Sequence, residues 1–541
     1  MRLALLALIV LGGVGVKLAA WPAPVGHHAL DGSNYYQVAG HVAAGDGLQT
    51  RLSLYHQGFQ SFPHASNIYP LWPLLLGHTA RIVDLATAAV ALPVALYGLS
   101  LVLLYGLANR LAVAFSGGND VSWSRAPNLT VGHVAALLFA LNPVFFRHTS
   151  LPYAEGLVYA TTFASLLAVD KTRERASLSW AFIAGVLAGC AFLSRPQLLP
   201  LALAVPASVF VTAHDARDLR ASAVALLSAG SVVALWAWHL SGFVVPFSPL
   251  VLLDYASYRE TDGLAPFPIT LGAESWTAYL SDRLTGFVAA FDPTHPNAYA
   301  RSFGAAVYLV PLALVVVALR APTLRAFWSW LRAKESRTVV ATLATGVGAL
   351  AAVHVHHGTL IWEWWFHWRH GLPMILPITL ALALLLTSAP GWLRAVSVVL
   401  IAGSLVTGAV AVHDNAVFLR FATAGPSEDE RALVRWADES EEPVRLVSTK
   451  AQALAAFSTR AGFHWTVCGD DPRQTARLLS AAGADYLVVY PGEENCRAIR
   501  ALLPELRPVE AFGDLRVLAP PSVARTREPQ VSGGSPSSLT G

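Results

Sequence analysis

Repeated apolar runs, each long enough to cross a bilayer, constrain this chain more than any other feature. A membrane helix needs roughly 17–25 mostly apolar residues. Eleven candidate spans meet or approach that length: 3–20, 85–108, 131–147, 154–169, 178–194, 196–213, 221–240, 302–319, 338–355, 371–388 and 392–412. Only 13% of the 541 residues are charged, against about 25% in an ordinary soluble protein. The balance excludes a simple soluble enzyme, a disordered chain and a nucleic-acid binder. With a net charge of +3, it gives no sign of an anionic partner.

Residues 1–413 hold 17 of the 34 acids and 23 of the 37 bases, and the last 128 residues hold the rest. The chain therefore divides into a membrane portion, 1–413, an α/β domain, 414–521, and a Ser-, Pro- and Gly-rich tail, 522–541, expected to be disordered. With the N-terminus in the cytoplasm, inner segments carry fourteen Lys and Arg and outer segments eight, although the outer segments are longer. This assignment predicts a multi-pass protein of the inner or plasma membrane with its C-terminal domain outside. Lys17, and the lack of a small-x-small cleavage site before Trp21, favour an uncleaved anchor over a signal peptide.

In the C-terminal domain, strand-like runs at Val444–Ser448, His464–Val467, Tyr486–Tyr490 and Arg516–Leu518 alternate with helical spacing over 428–437, 472–482 and 493–503. The pattern predicts a small α/β domain. An external location permits a disulfide between Cys468 and Cys496; two free thiols fit the sequence equally. Cys190 reads as a small residue inside a span.

Ionisable groups at membrane depth are costly and point to function. Most acids of the membrane portion fall in outer segments. The long segment 21–84 contains Asp31-Gly32-Ser33-Asn34-Tyr35-Tyr36 and Tyr69-Pro70-Leu71-Trp72-Pro73-Leu74. Asp31 either deprotonates a hydroxyl in a dehydrated cleft or caps an interfacial helix. The next outer turn runs from Asn142-Pro143 to Pro152-Tyr153-Ala154-Glu155. Glu155 either favours the positive end of its helix or enters the same cleft. Arg195 lies at another outer turn. Arg369 and His370 follow a Trp- and His-rich stretch, where an Arg fork suits a lipid phosphate and the Trp rings serve as interfacial anchors or hold a lipid chain. His354 with His357, and Glu363 with His367, have spacing open to a metal but match no specific metal motif.

This layout resembles the GT-C superfamily of membrane glycosyltransferases, which includes protein O-mannosyltransferases, lipid A aminoarabinose transferases and PIG-V-like mannosyltransferases. The resemblance rests on the Asp31–Tyr36 stretch with Gly45-Asp46-Gly47, on Tyr69–Leu75, on Asn142-Pro143 with Pro152–Glu155, and on Arg369 ahead of the Pro373 and Pro377 helix. The sequence departs from the pattern in having a single acid after the first span, where O-mannosyltransferases have Asp-Glu, and in Ala154, where PIG-V-like enzymes have Ser. The resemblance implies an all-α polytopic fold with a small C-terminal α/β domain. It implies inverting transfer of a sugar, mannose or another hexose, from a polyprenyl-phosphate donor to a lipid, glycan or protein acceptor outside the cytoplasm. Asp31 is then the expected general base and Glu155 a second acid that orients the acceptor or assists a divalent cation. Arg369, His370 and Arg195 would bind the donor phosphate, and Tyr35, Tyr36 and Tyr153 the substrate. The rival reading is a transporter or flippase for a lipid-linked sugar, which calls for repeats and midplane charges; the sequence has no internal repeat. A third reading is an assembly or sensory protein whose tail binds a partner.

Overall fold

The computed structural model describes residues 1–20, 30–53, 62–66, 68–116, 122–123, 126–149, 152–175, 177–241, 306, 308–320, 324–357, 373–422, 425–466, 468, 472–480 and 483–520. The membrane portion is helical. Four described helices are long and apolar enough to cross a membrane: Arg2–Ala20, Leu85–Ser116, Ala216–Trp236 and Gly391–His413. Shorter apolar helices accompany them at Val131–Ala140, Leu178–Ser194, Leu199–Val211, Leu309–Arg320, Arg337–Ala352 and Ile375–Ser388, and one further helix runs over Glu155–Arg175.

Local chemistry sets the breaks. The 131–147 run is two helices, because Pro143 has no N–H with which to continue the first. Asn142 starts the second, its Oδ1 accepting the Phe145 N–H at 2.9 Å. In lipid, helices associate by close packing rather than by hydrophobic exclusion. The Leu178–Ser194 helix accordingly presents Gly185 and Gly189 to the Ala216–Ser241 helix, where a Cβ on Gly189 would lie 2.6 Å from Val232 Cβ.

Buried polar contacts sort the helix ends into two groups. At one end, Arg337, fully buried, donates to Asp218 at 3.0 Å, Thr172 at 2.9 Å and Thr212 at 2.8 Å. Arg110 pairs there with Asp170 at 3.4 Å. At the other end, Lys17 Nζ donates to the Phe146 carbonyl at 2.9 Å and to Thr149 Oγ1 at 2.8 Å, and Arg195 pairs with Glu155. Each contact joins residues that the charge distribution places on one side of the membrane.

The segment 21–84, read from the sequence as a loop, contains two helices, Leu30–Ala44 and Leu71–Thr79. It also supplies the edge strand of a six-stranded sheet. The strand order is Leu52–Ser53, Gly462–Trp465, Arg445–Ser448, Tyr486–Val489, Leu515–Ala519 and Arg507–Phe512. The first four run parallel and the last two form an antiparallel hairpin. Alternate residues serve two cores. Leu446, Phe463, Val488 and Val517 face Leu433 and Leu454, whereas Val447, Leu487, Val489 and Leu518 face Leu478 and Ile499. Cys468 and Cys496 form a disulfide with a Cα–Cα separation of 4.8 Å.

Asp438 closes the turn ahead of strand Gly462–Trp465. Its carboxylate accepts from the Ser458 hydroxyl at 2.6 Å and from the Thr459, Arg460 and Ala461 N–H groups at 2.7–3.0 Å. Burial raises its pKa, but these hydrogen bonds outweigh it, and the pKa falls below the ordinary value. A depressed carboxylate pKa stabilises the fold above the unfolded-state pKa. That contribution is lost as pH falls through the folded-state value. The acid-induced loss of C-terminal domain structure, followed by circular dichroism, is therefore expected to flatten in Asp438→Asn. Arg337→Ala leaves Asp218 buried without its cation and is expected to cost about 3–5 kcal/mol, read as a lowered thermal unfolding midpoint in detergent.

Candidate active site

The Leu30–Ala44 helix carries Asp31 at its second residue. Its face of small residues docks on the Leu71–Thr79 helix. The approach requires Gly77, since a Cβ there would lie 2.6 Å from Val42 Cβ and 2.7 Å from the Ala39 carbonyl oxygen. Tyr35 is buried on this helix and Tyr36 half-buried. Burial first, and then the charge of Asp84, push the Tyr36 hydroxyl pKa up, so it stays protonated.

The Leu71–Thr79 helix passes the constraint onward. Trp72, fully buried, donates its indole N–H to the Pro152 carbonyl at 2.8 Å. Pro152 opens the turn that ends in Tyr153, Ala154 and Glu155. Tyr153 is buried and stacks on His148, with ring centroids 5.9 Å apart and planes 17° from parallel. Tyr69, just before the same helix, packs against Phe192 and Trp236. The two stretches singled out in the sequence, Tyr69–Leu75 and Pro152–Glu155, thus form one wall.

Glu155 begins its helix, where the helix dipole favours an anion, and Arg195 ends the Leu178–Ser194 helix, where it favours a cation. The two meet in a 2.5 Å ion pair with little exposure, 4% for the Glu155 side chain and 14% for Arg195. Glu155 Oε1 takes the Arg195 N–H. Oε2 is buried and has no hydrogen-bond partner among the described residues. A buried carboxylate oxygen in this position can accept a further hydrogen bond.

Arg369 and His370 lie outside the described residues, as do Glu363 and His367. Two participants escaped the sequence reading. Lys17 signalled its role by being a cation near the far end of an apolar helix: its ammonium sits 3.9 Å from the centre of the Tyr97 ring and ties the first helix to Phe146 and Thr149. Gln37 gave no signal and became visible only through its partners, Thr50 and Arg51.

No protein-family profile matches the chain, and no curated protein does. Solved structures do. The chain is similar to the Archaeoglobus fulgidus oligosaccharyltransferase in its apo form, with a TM-score of 0.53 at 12% identity over 91% of this chain and 69% of that one. It is similar to the same enzyme in complex with zinc and sulfate, with a TM-score of 0.51 at 13% identity over 89% and 67%. ArnT from Cupriavidus metallidurans aligns over 94% of this chain and 97% of its own, at 14% identity and a TM-score of 0.40. The first two likenesses show that the chain shares the fold of the archaeal oligosaccharyltransferase.

The indole hydrogen bond can be tested apart from chemistry. Trp72→Phe keeps the ring and removes the donor, leaving a buried carbonyl unsatisfied. We expect a loss of about 1–3 kcal/mol, measured as a lowered midpoint of thermal unfolding, with membrane insertion unchanged.

Proposed function

We propose that this protein is an integral-membrane glycosyltransferase. In this reading it moves a sugar, mannose or another hexose, from a polyprenyl-phosphate donor to a lipid, glycan or protein acceptor on the extracytoplasmic side. The observation that carries the reading is the Glu155–Arg195 pair, with its open carboxylate oxygen, on the wall that Trp72 and Gly77 connect to the helix of Asp31.

In the proposed reaction the acceptor hydroxyl oxygen attacks the anomeric carbon from the face opposite the phosphate. The new glycosidic C–O bond forms as the bond to the donor phosphate breaks, which inverts the anomeric centre. The bonding electron pair leaves on the phosphate oxygen, and the hydroxyl proton passes to Asp31 as general base. Glu155 Oε2 accepts a hydrogen bond from the acceptor and orients it. Arg195, whose guanidinium pairs with Glu155, holds that carboxylate in place beside the acceptor. Arg369, His370 and Arg195 neutralise the departing phosphate in this reading, and Tyr35, Tyr36 and Tyr153 line the approach. Were a divalent cation to take part, Glu155 Oε2 would be a hard oxygen ligand for it.

The ion pairs described in the membrane portion gather toward the ends of the helix bundle and not at the midplane, where a flippase would carry its charges. The disulfide fits a C-terminal domain in an oxidising, extracytoplasmic compartment. Asp31→Asn is expected to abolish transfer of radiolabelled sugar from the lipid carrier while membrane insertion is retained. Full transfer in that variant would remove Asp31 from the mechanism, and lipid-linked sugar crossing vesicles without transfer would favour the flippase.

A further inference from the structure

The C-terminal domain does more than sit beside the membrane portion, and one residue shows how. Gln37 lies on the Leu30–Ala44 helix, six residues beyond Asp31. Asp31, Asn34 and Gln37 follow each other at intervals of three, along one ridge of that helix. The Gln37 amide is buried, 7% exposed, and both its ends are engaged. Nε2 donates to Thr50 Oγ1 at 2.8 Å and to Asn34 Oδ1 at 3.3 Å, and Oε1 accepts the Arg51 N–H at 3.0 Å.

Arg51 is the junction. Its backbone N–H goes to Gln37, and its backbone carbonyl accepts the Phe463 N–H at 2.8 Å. The next residue, Leu52, pairs with Phe463 in the sheet and is buried in the C-terminal core. One backbone residue therefore joins the helix of Asp31 to the C-terminal sheet. The Ala451–Phe457 helix packs on the same Leu30–Ala44 helix. An apolar contact between helices tolerates sliding, whereas a buried amide with fixed donors and acceptors holds one axial position.

We propose that the C-terminal α/β domain fixes the Asp31 helix through Gln37, making Gln37 a positioning residue of the active site. The consequence for catalysis rests on Asp31 being the general base. Displacement of a catalytic group by about 1 Å costs on the order of 100-fold in rate.

The test uses the full chain in lipid nanodiscs, as wild type, Gln37→Ala and Thr50→Val. Hydrogen exchange is read on peptides covering 30–44, with 155–175 and 462–465 as references. Sugar transfer is read as separate kcat and KM for the polyprenyl-phosphate donor. We expect faster exchange over 30–44 in Gln37→Ala with the references unchanged. We also expect kcat to fall by about 10- to 100-fold at a KM within about twofold of wild type. Thr50→Val, which removes one of the Gln37 bonds together with the Thr50 hydroxyl contacts to Leu52, should shift both readouts in the same direction by less. Unchanged exchange over 30–44 in Gln37→Ala would overturn the proposal, as would faster exchange with unaltered kcat. If Gln37→Ala loses protection everywhere, Thr50→Val decides by the same criteria. A wild-type protein that transfers no sugar would count against the proposed function but not against the coupling, which the exchange reads in the same samples.

Discussion

A charge that leaves water must meet its partner, and much of this fold is arranged around that requirement. Burying a lone ion costs several kcal/mol, while a well-placed partner and additional hydrogen bonds offset most of it. Arg337 is fully buried and satisfied by Asp218, Thr172 and Thr212, which come from separate segments. Glu155 and Arg195 meet at the opposite end. This packing satisfies both pairs at once, and breaking either would leave a buried charge, so the charges constrain how the apolar helices are arranged. The two ends differ in one respect. The Arg337 cluster includes two threonines, whereas Glu155 keeps one oxygen without a hydrogen-bond partner among the described residues.

The path from that open oxygen to the soluble domain consists of short, directional contacts. Glu155 belongs to the turn whose Pro152 carbonyl accepts from Trp72. The Trp72 helix receives the Asp31 helix through Gly77, and Gln37 on that helix grips the strand that completes the C-terminal sheet. Backbone carbonyls, a glycine and one amide carry the geometry. Close approach and fixed hydrogen-bond directions leave less freedom than an equal area of aliphatic contact.

The sequence made some of this legible and hid the rest for physical reasons. Hydropathy marked the apolar helices, because the bilayer imposes their length and composition. It missed the break at Asn142, since Pro143 interrupts a run that stays apolar throughout. A short continuous run of aromatic and branched apolar residues located strands such as Tyr486–Val489, where both faces are buried. It did not reveal Leu52–Ser53, because a two-residue edge strand is too short to show a period. The role of Glu155 was left between a dipole contact and a cleft acid; its ion pair with Arg195 depends on a residue 40 positions away. Gln37 is polar, common and unremarkable in sequence, and its importance comes wholly from its tertiary partners.

The parallel pairing of Leu52 with Phe463 also sets an order of events during synthesis. The two residues are separated by most of the chain, and a ribosome adds about 5–20 residues per second. The edge strand therefore waits roughly 20–80 s for its neighbour to emerge. During that interval the membrane helices are made one after another, while the edge strand still lacks its neighbour. A chain terminated before Gly462 would thus keep its apolar helices and hold an edge strand with no sheet to join.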